Sequence, residues 1–471
     1  MRDDDLQACL RVLSELAEAP EDDPDRVRVR EAARAFLGRT RRHERAGKRR
    51  RLAERDAAAL AGAPASAVTT GAPASAVTTG APASAVTTGV PASAVTTGVP
   101  ASAVTTGVPG PAAGAVARAA EPSSRIDGLT RCYVCKAHFR TADKRYERLC
   151  PGCAEKNARR RTARTNLTGR RAVVTGGRVK AGFELVLKLL RDGAAVTALT
   201  RFPQDARRRF AAVPDHEEWA DRLTVTGMDL RDVPAVVRWC DEQVAAGEPL
   251  DILVNLAAQT VRPPAASYEA LLAGEHTAEL TAGQTPPPEK GAPDTAVSVA
   301  VDVAGLLPDP APDNSWTRLV HEVDPVELLE VQLINVTAPF LLIGRLRPLL
   351  VGSPRPRRYV VNVSAAEGQF GRMYKGPEHP HTNMAKAALN MLTLTSAAEL
   401  AAAGVYVTSV DPGWFSDQQP DPDRRRRAAA GFRPPLDAVD AAARVYDPIV
   451  RGEAGDPPYG CLLKDYRVAP W

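Results

Sequence analysis

Three clusters in this 471-residue chain combine residue types and spacings that can do chemistry. The first is Cys132-Tyr-Val-Cys135, then fourteen residues, then Cys150-Pro-Gly-Cys153. Each Cys-x-x-Cys turn points two thiolates at one ion, and two such turns complete a tetrahedral four-sulfur shell. Four protein ligands leave no open coordination position, so the ion would be structural and would help fold a segment too small to fold alone. The second cluster is Thr175-Gly176-Gly177-Arg178-Val179-Lys180-Ala181-Gly182, which follows a β-branched run and opens a helical pattern. Glycines there let the chain turn tightly and bring backbone N–H groups and a helix N-terminus onto a pyrophosphate. In the third, Thr382 and Lys386 share a helix face four residues apart. Tyr374, His379 and His381 lead into that helix, and histidine donates protons near pH 7.

These clusters need elements to hold them. After residue 170, short β-branched runs at 172–175, 195–199, 223–226, 252–255, 359–363, 405–410 and 460–463 alternate with helical patterns. The helical patterns cover 183–192, 233–246, 328–350, 382–402 and 438–450. Such alternation predicts an α/β fold, a doubly wound parallel sheet covered on both faces, with the site loops at the strand C-termini.

On these residues, 170–471 resembles the short-chain dehydrogenase/reductase superfamily. Its Thr-Gly-x-x-x-Gly-x-Gly motif matches at Thr175, Gly176 and Gly182, with Lys180 in place of the middle glycine. Asn255-Leu256-Ala257-Ala258 stands for the turn after the fourth strand, Asp229 for the aspartate beside the adenine, and Asp411-Pro412-Gly413 for the turn under the nicotinamide. The resemblance implies a dinucleotide contacted by these residues and by Gly177, Arg178, Arg201 and Lys386. Positive charge at Arg201 and Lys180 favours NADP over NAD. Asn335 matches the asparagine of the catalytic tetrad, but Thr382 stands where the family's tyrosine belongs in Tyr-x-x-x-Lys. An aliphatic hydroxyl is far too weak an acid to replace a phenol, so Tyr374 or a neighbouring histidine is the expected proton donor. The family's serine aligns with Ala365, leaving Ser364 one residue early and facing the other side of the strand. The implied function is NAD(P)(H)-dependent oxidoreduction of a carbonyl/alcohol pair on a small-molecule substrate, in a dimer or tetramer. The alternative is a dinucleotide-binding sensor or scaffold without turnover, whose cysteine module touches a protein or nucleic-acid partner. That module resembles a zinc ribbon or treble-clef knuckle, which favours zinc over iron.

The rest of the chain is divided by composition. Of 23 aromatic residues only Phe36 precedes position 130, so a large core is confined to the later part. Residues 1–60 read as a charged helical segment, with eight Arg/Lys between Arg39 and Arg51. Residues 61–125 form a low-complexity linker in which a nine-residue Pro- and Gly-containing unit repeats five times. The cysteine module spans 128–168, and the dinucleotide-binding domain 169–471 carries an insertion at about 268–316. A net charge of +5 spread over the chain leaves a nucleic-acid partner open but not favoured. The best apolar run, Ile334–Val351, is interrupted by Arg345 and Arg347, and the start of the chain lacks an apolar signal core, so a cytoplasmic protein without a membrane span is expected. Cys9, Cys240 and Cys461 are isolated and read as packed or inert thiols. Substituting Cys132→Ser should abolish stoichiometric zinc, read by metal analysis of purified protein; full zinc retention would contradict a four-cysteine shell.

Overall fold

The computed structural model describes residues 124–269, 271–275, 311, 313–371 and 375–471. All lie in one compact unit, Arg118–Trp471. The expected helical segment before residue 60, the repeats, Cys9, Tyr374 and most of the insertion fall outside the described residues.

Two strands, β1 (Ser124–Arg131) and β2 (His138–Ala142), form an antiparallel hairpin, followed by helix α1 (Pro151–Arg161). Cys132 and Cys135 lie in the hairpin turn. Cys150 caps α1, with Pro151 at its first position, where a missing N–H costs nothing. Cys132, Phe139, Ala142, Tyr146, Leu149 and Ala154 pack into a small core that also takes in Leu436 and Phe415 from farther along the chain.

The main sheet comprises β3 (Arg171–Thr175), β4 (Ala195–Thr200), β5 (Leu223–Gly227), β6 (Ile252–Asn255), β7 (Arg358–Val363), β8 (Val405–Asp411), β9 (Leu462–Lys464) and β10 (Arg467–Ala469). Their order is β10-β9-β8-β7-β6-β3-β4-β5, parallel throughout except for the last antiparallel pair, β9–β10. Runs such as Val173-Val174 and Ile252-Leu253-Val254 are buried because both faces are covered. On one face lie α2 (Lys180–Arg191), α3 (Pro203–Ala211) and α9 (Ala438–Glu453). On the other lie α4 (Val233–Ala246), α6 (Ala338–Val351) and α7 (Pro380–Ala402).

The single helix expected over 328–350 is in fact three segments: α5 (Pro325–Gln332), a π-helical turn Leu333–Thr337, and α6. The run Pro325–Val351 is long and apolar enough to cross a membrane by length and composition. Here its Leu342, Leu346 and Leu350 are buried against the sheet. Helices α3 and α8 (Asp421–Ala429) were not foreseen, since Arg-rich stretches show little apolar periodicity.

Register places one row of polar residues across four strands: Thr175 pairs with Asn255, Asn255 with Asn362, and Asn362 with Ser409. Asn255 Nδ2 donates to Asn362 Oδ1 (2.8 Å), and Asn362 Nδ2 donates to Thr393 Oγ1 on α7 (2.9 Å). Ser409 Oγ donates to the same hydroxyl oxygen (2.8 Å), which passes its own proton to Leu389 O (3.1 Å). Thr393→Val would keep the shape but strand two buried donors, each costing about 1–3 kcal/mol. Urea unfolding should show a loss of about 2–6 kcal/mol; an unchanged midpoint would contradict the network.

Candidate active site

The loop after β3 is shaped by close approach. Gly176 sits at φ +74°, and a methyl there would lie 2.9 Å from Ala257 Cα. A methyl on Gly182 would collide with Gly176 O, and one on Gly177 would meet Ala198 and Val186 at 3.0 and 3.1 Å. Thr175 Oγ1 accepts from Leu256 N and Ala257 N (both 3.0 Å), tying the loop to the turn after β6. No side chain caps α2 at Val179, so its first turn presents amides as an anion site does. Lys180 holds φ +54°, so the left-handed geometry persists with a side chain that costs on the order of 1 kcal/mol there. The loop is thus a tight backbone turn with no room for Cβ atoms at these glycines, and with its uncapped amides it fits a pyrophosphate.

Around this cradle the charged residues are largely committed to one another. Arg178 is buried and donates to Asp205 at 2.6 Å, with its guanidinium over the Phe202 ring. Burial pushes the Asp205 carboxyl up, but hydrogen bonds from Arg209 and Arg178 outweigh it and hold it below the usual range. Arg201, at the end of β4, lies over the Phe202 and Tyr268 rings at 5.4 and 5.1 Å. Asp229 is chelated by Arg231 (2.6 Å from Nη2), which also reaches Glu330 at 2.9 Å. Burial raises the Asp229 carboxyl, and Arg231 more than offsets it.

Glu330 accepts in turn from Gln259 Nε2 (3.0 Å), whose backbone is gripped by Asn335. Asn335 Oδ1 accepts from Gln259 N (2.8 Å), and its Nδ2 donates to Gln259 O (3.1 Å). The π-helical turn presents this buried side chain to the loop after β6. Such turns recur at functional sites.

Lys386 is buried on α7, and its Nζ donates to Val363 O at the end of β7 (2.7 Å). Burial lowers its pKa to about 8, against the smaller opposing pull of Glu367 and Asp411. Ser364 Oγ and Thr382 Oγ1 are both buried without a hydrogen-bond partner. His381 is buried with its Nε2 3.7 Å from Glu327 Oε1, an ion-pair separation beyond a hydrogen bond. His379, at φ +44°, stacks on Trp316 at 4.0 Å and shares a 2.9 Å bond between its Nδ1 and Trp316 O. The returning end of the insertion therefore packs onto the start of α7. Tyr374 lies outside the described residues.

Pro412 and Gly413 follow β8, with Gly413 at φ +81° and its N donating to Asp411 Oδ1 (2.8 Å). The next amide, Trp414 N, donates to the Tyr133 hydroxyl of the cysteine module (2.9 Å). In that module the four sulfurs lie within 4.8 Å of one another, and Cys135 Sγ is 3.6 Å from Cys150 Sγ. A tetrahedron with ~2.3 Å metal–sulfur bonds has edges of about 3.8 Å, so the donor set fits a four-thiolate ion. Burial raises the Cys132 thiol, but the backbone amides of Cys150 and Cys135 outweigh it and bring the pKa to about 7.

The strand order reverses between β4–β3 and β6–β7, and the glycine cradle, Arg201, Asp229, Asn255, Ser364 and Pro412 all lie at strand C-termini. This arrangement is that of a doubly wound, Rossmann-type α/β domain, with these residues at its switch point. Residues 295–425 match the short chain dehydrogenase family model. An uncharacterised protein of Acanthamoeba polyphaga mimivirus is 32% identical over 343 residues, 68% of this chain and 71% of that one. A probable oxidoreductase of Streptomyces lividans is 44% identical over 92 residues, covering 19% of this chain and 28% of that protein. An NADPH-bound carbonyl reductase from chicken fatty liver is 17% identical, with a TM-score of 0.43, covering 66% of this chain and all of that one. The chain belongs to the short-chain dehydrogenase/reductase superfamily, a family of oxidoreductases.

The polar row through Asn362, Thr393 and Ser409 and the Tyr133 contact escaped the sequence reading. Their partners are distant in sequence, and no local spacing signals them.

The lowered pKa of Lys386 carries a pH signature. Between about 8 and its ordinary 10.5, the unfolded lysine binds a proton that the folded one does not, so stability contributed at this site rises with pH. Relative to Lys386→Met, the wild type should gain stability from pH 8 to 10.5, measured by denaturant unfolding. Parallel pH profiles would contradict a buried, strained ammonium.

Proposed function

We propose that the chain is an NADP(H)-dependent oxidoreductase acting on a carbonyl/alcohol pair of a small molecule. The observation that carries this reading is the buried Lys386 ammonium, anchored on Val363 O at the C-terminal end of β7 in the same sheet edge as the glycine cradle. Bound NADPH would supply a hydride to the carbonyl carbon. The chain's own task is to deliver a proton to the carbonyl oxygen. Thr175, Gly176, Gly177, Lys180 and Gly182 would hold the pyrophosphate. Arg201 and Lys180 place positive charge for a 2′-phosphate, which supports NADP over NAD. Lys386 would bind the ribose and raise the acidity of the donor. His379 is engaged with Trp316 and His381 faces Glu327, so of the proton donors considered Tyr374 is favoured. Thr382, with an unpartnered hydroxyl, would orient the carbonyl, and Asn335 would hold the relay path through the loop at Gln259.

Four thiolates support a structural zinc, whose ligands need a reducing compartment and thereby support a cytoplasmic setting. Phe340 on α6 and Met384, Met391 and Leu394 on α7 are exposed large apolar side chains, which supports pairing of two subunits through these helices. A second reading, a dinucleotide sensor without turnover, draws its support from Thr382 in the phenol's place.

Calorimetric titration with NADPH, NADP⁺, NADH and NAD⁺, followed by a carbonyl panel read at the nicotinamide absorbance, separates these readings. NADPH should bind at least tenfold tighter than NADH, with turnover that Tyr374→Phe lowers about a hundredfold or more while leaving the NADPH Kd within twofold. Binding with no turnover across the panel would favour the sensor. Undiminished turnover in Tyr374→Phe would remove that residue from the chemistry.

A further inference from the structure

Tyr133 stands between the first two cysteines, yet its hydroxyl serves the other end of the chain. The phenol oxygen accepts from Trp414 N at 2.9 Å and lies 3.6 Å from where a Cβ on Gly413 would be. The Asp411–Trp414 turn is thus held from two sides, by the Asp411 carboxylate on Gly413 N and by the phenol on Trp414 N. A methyl on Gly413 would come within 2.6 Å of Leu436 Cδ1, so the turn packs closely on that side chain. Without the phenol, the Trp414 amide loses its acceptor, while Asp411 keeps its bond to Gly413 N and its ion pair with Lys464.

What aims the phenol is the cysteine turn itself. Cys132 N donates to Ala137 O (2.8 Å), Tyr133 N to Arg148 O (2.8 Å), and Lys136 Nζ to Tyr133 O. The rest of the module is pinned to α9 and its N-cap. Tyr146 Oη and Asn157 Nδ2 donate to Asp440 Oδ1 (2.7 and 3.0 Å), Arg160 pairs with Asp447 (2.5 Å), and Arg161 pairs with Asp437 (2.6 Å). An ion held by Cys132 and Cys135 would fix the backbone on both sides of Tyr133, because the ligands flank it directly.

We propose that Tyr133 is a positioning residue for the dinucleotide site. Metal bound by Cys132, Cys135, Cys150 and Cys153 fixes its phenol against the Asp411–Trp414 turn, so metal and dinucleotide bind cooperatively. The coupling rests on the dinucleotide reading given above, whereas the contact between phenol and turn does not. The coupling is reciprocal: whatever factor zinc adds to NADPH affinity, NADPH must add to zinc affinity.

The test uses the full chain and its Tyr133→Phe variant, which keeps all four ligands and the ring. Three quantities are measured: zinc stoichiometry, amide exchange of a peptide spanning 411–416, and zinc affinity by chelator competition with and without NADPH. The variant should retain full zinc while its 411–416 amides exchange about three- to tenfold faster, the range expected for one lost neutral hydrogen bond. In the wild type NADPH should strengthen zinc binding about three- to tenfold, and in the variant that factor should fall toward one. A merely structural tyrosine would leave the factor unchanged. NADPH binding with no effect on zinc affinity in the wild type overturns the coupling alone. No NADPH binding by the zinc-loaded wild type overturns the dinucleotide reading and the coupling together, and unchanged exchange in the variant overturns the positioning contact.

Discussion

The arrangement at the sheet's C-terminal edge depends on how α7 is stitched to β7. Lys386, Asn390 and Thr393 lie on one stripe of the helix. They bond in turn to Val363 O, to Gly368 O (3.3 Å) and to the side chains of Asn362 and Ser409. Asn362, Thr393 and Ser409 are 0% exposed, so every donor in this seam must find its partner inside the protein. Helix and strand therefore cannot slide past each other without breaking the whole row. That rigidity delivers the Lys386 ammonium to one place, and the same register line ends at Thr175, whose hydroxyl holds the β6 turn against the glycine cradle. One seam thus holds both the glycine loop and the Lys386 end of α7.

The cysteine module is joined to this framework mostly by polar contacts. Burial pushes the carboxyls of Asp440 and Asp447 up, and α1 and the loop before it supply the hydroxyl, amide and guanidinium that meet them. Removing the module would leave those carboxylates on α9 without their partners, a larger penalty than the net value of each contact. The module is therefore integral to the fold around α9, not an ornament carried beside it.

The sheet was legible because its parallel strands are buried on both faces, so β-branched runs such as 359–363 and 405–410 mark them almost to the residue. The π-helical turn at Asn335 was not, since 3.6-residue periodicity continues on either side and a single widened turn leaves it nearly intact. Arg178 illustrates a different limit. Its place in the glycine loop marks it for a phosphate, but the side chain is bonded to Asp205, a partner 27 residues on that only the packing of α3 brings near. Tyr133 and Trp414 are 281 residues apart, and nothing in the local sequence of either points to the other. Spacing reveals groups that share one element; it says little about groups that tertiary packing introduces to each other.

Helix α1 lies along α9 and is pinned to it by the paired carboxylates, which closes that flank of the sheet domain with the chain's own residues. The exposed apolar side chains described here lie instead on α6 and α7. In terms of symmetry, a self-complementary face used once relates two copies by a single twofold axis, while a dihedral tetramer needs a second, independent face. An assembly built through α6 and α7 alone would be complete at two subunits, and on α9 the chain's own helix α1 supplies the cover.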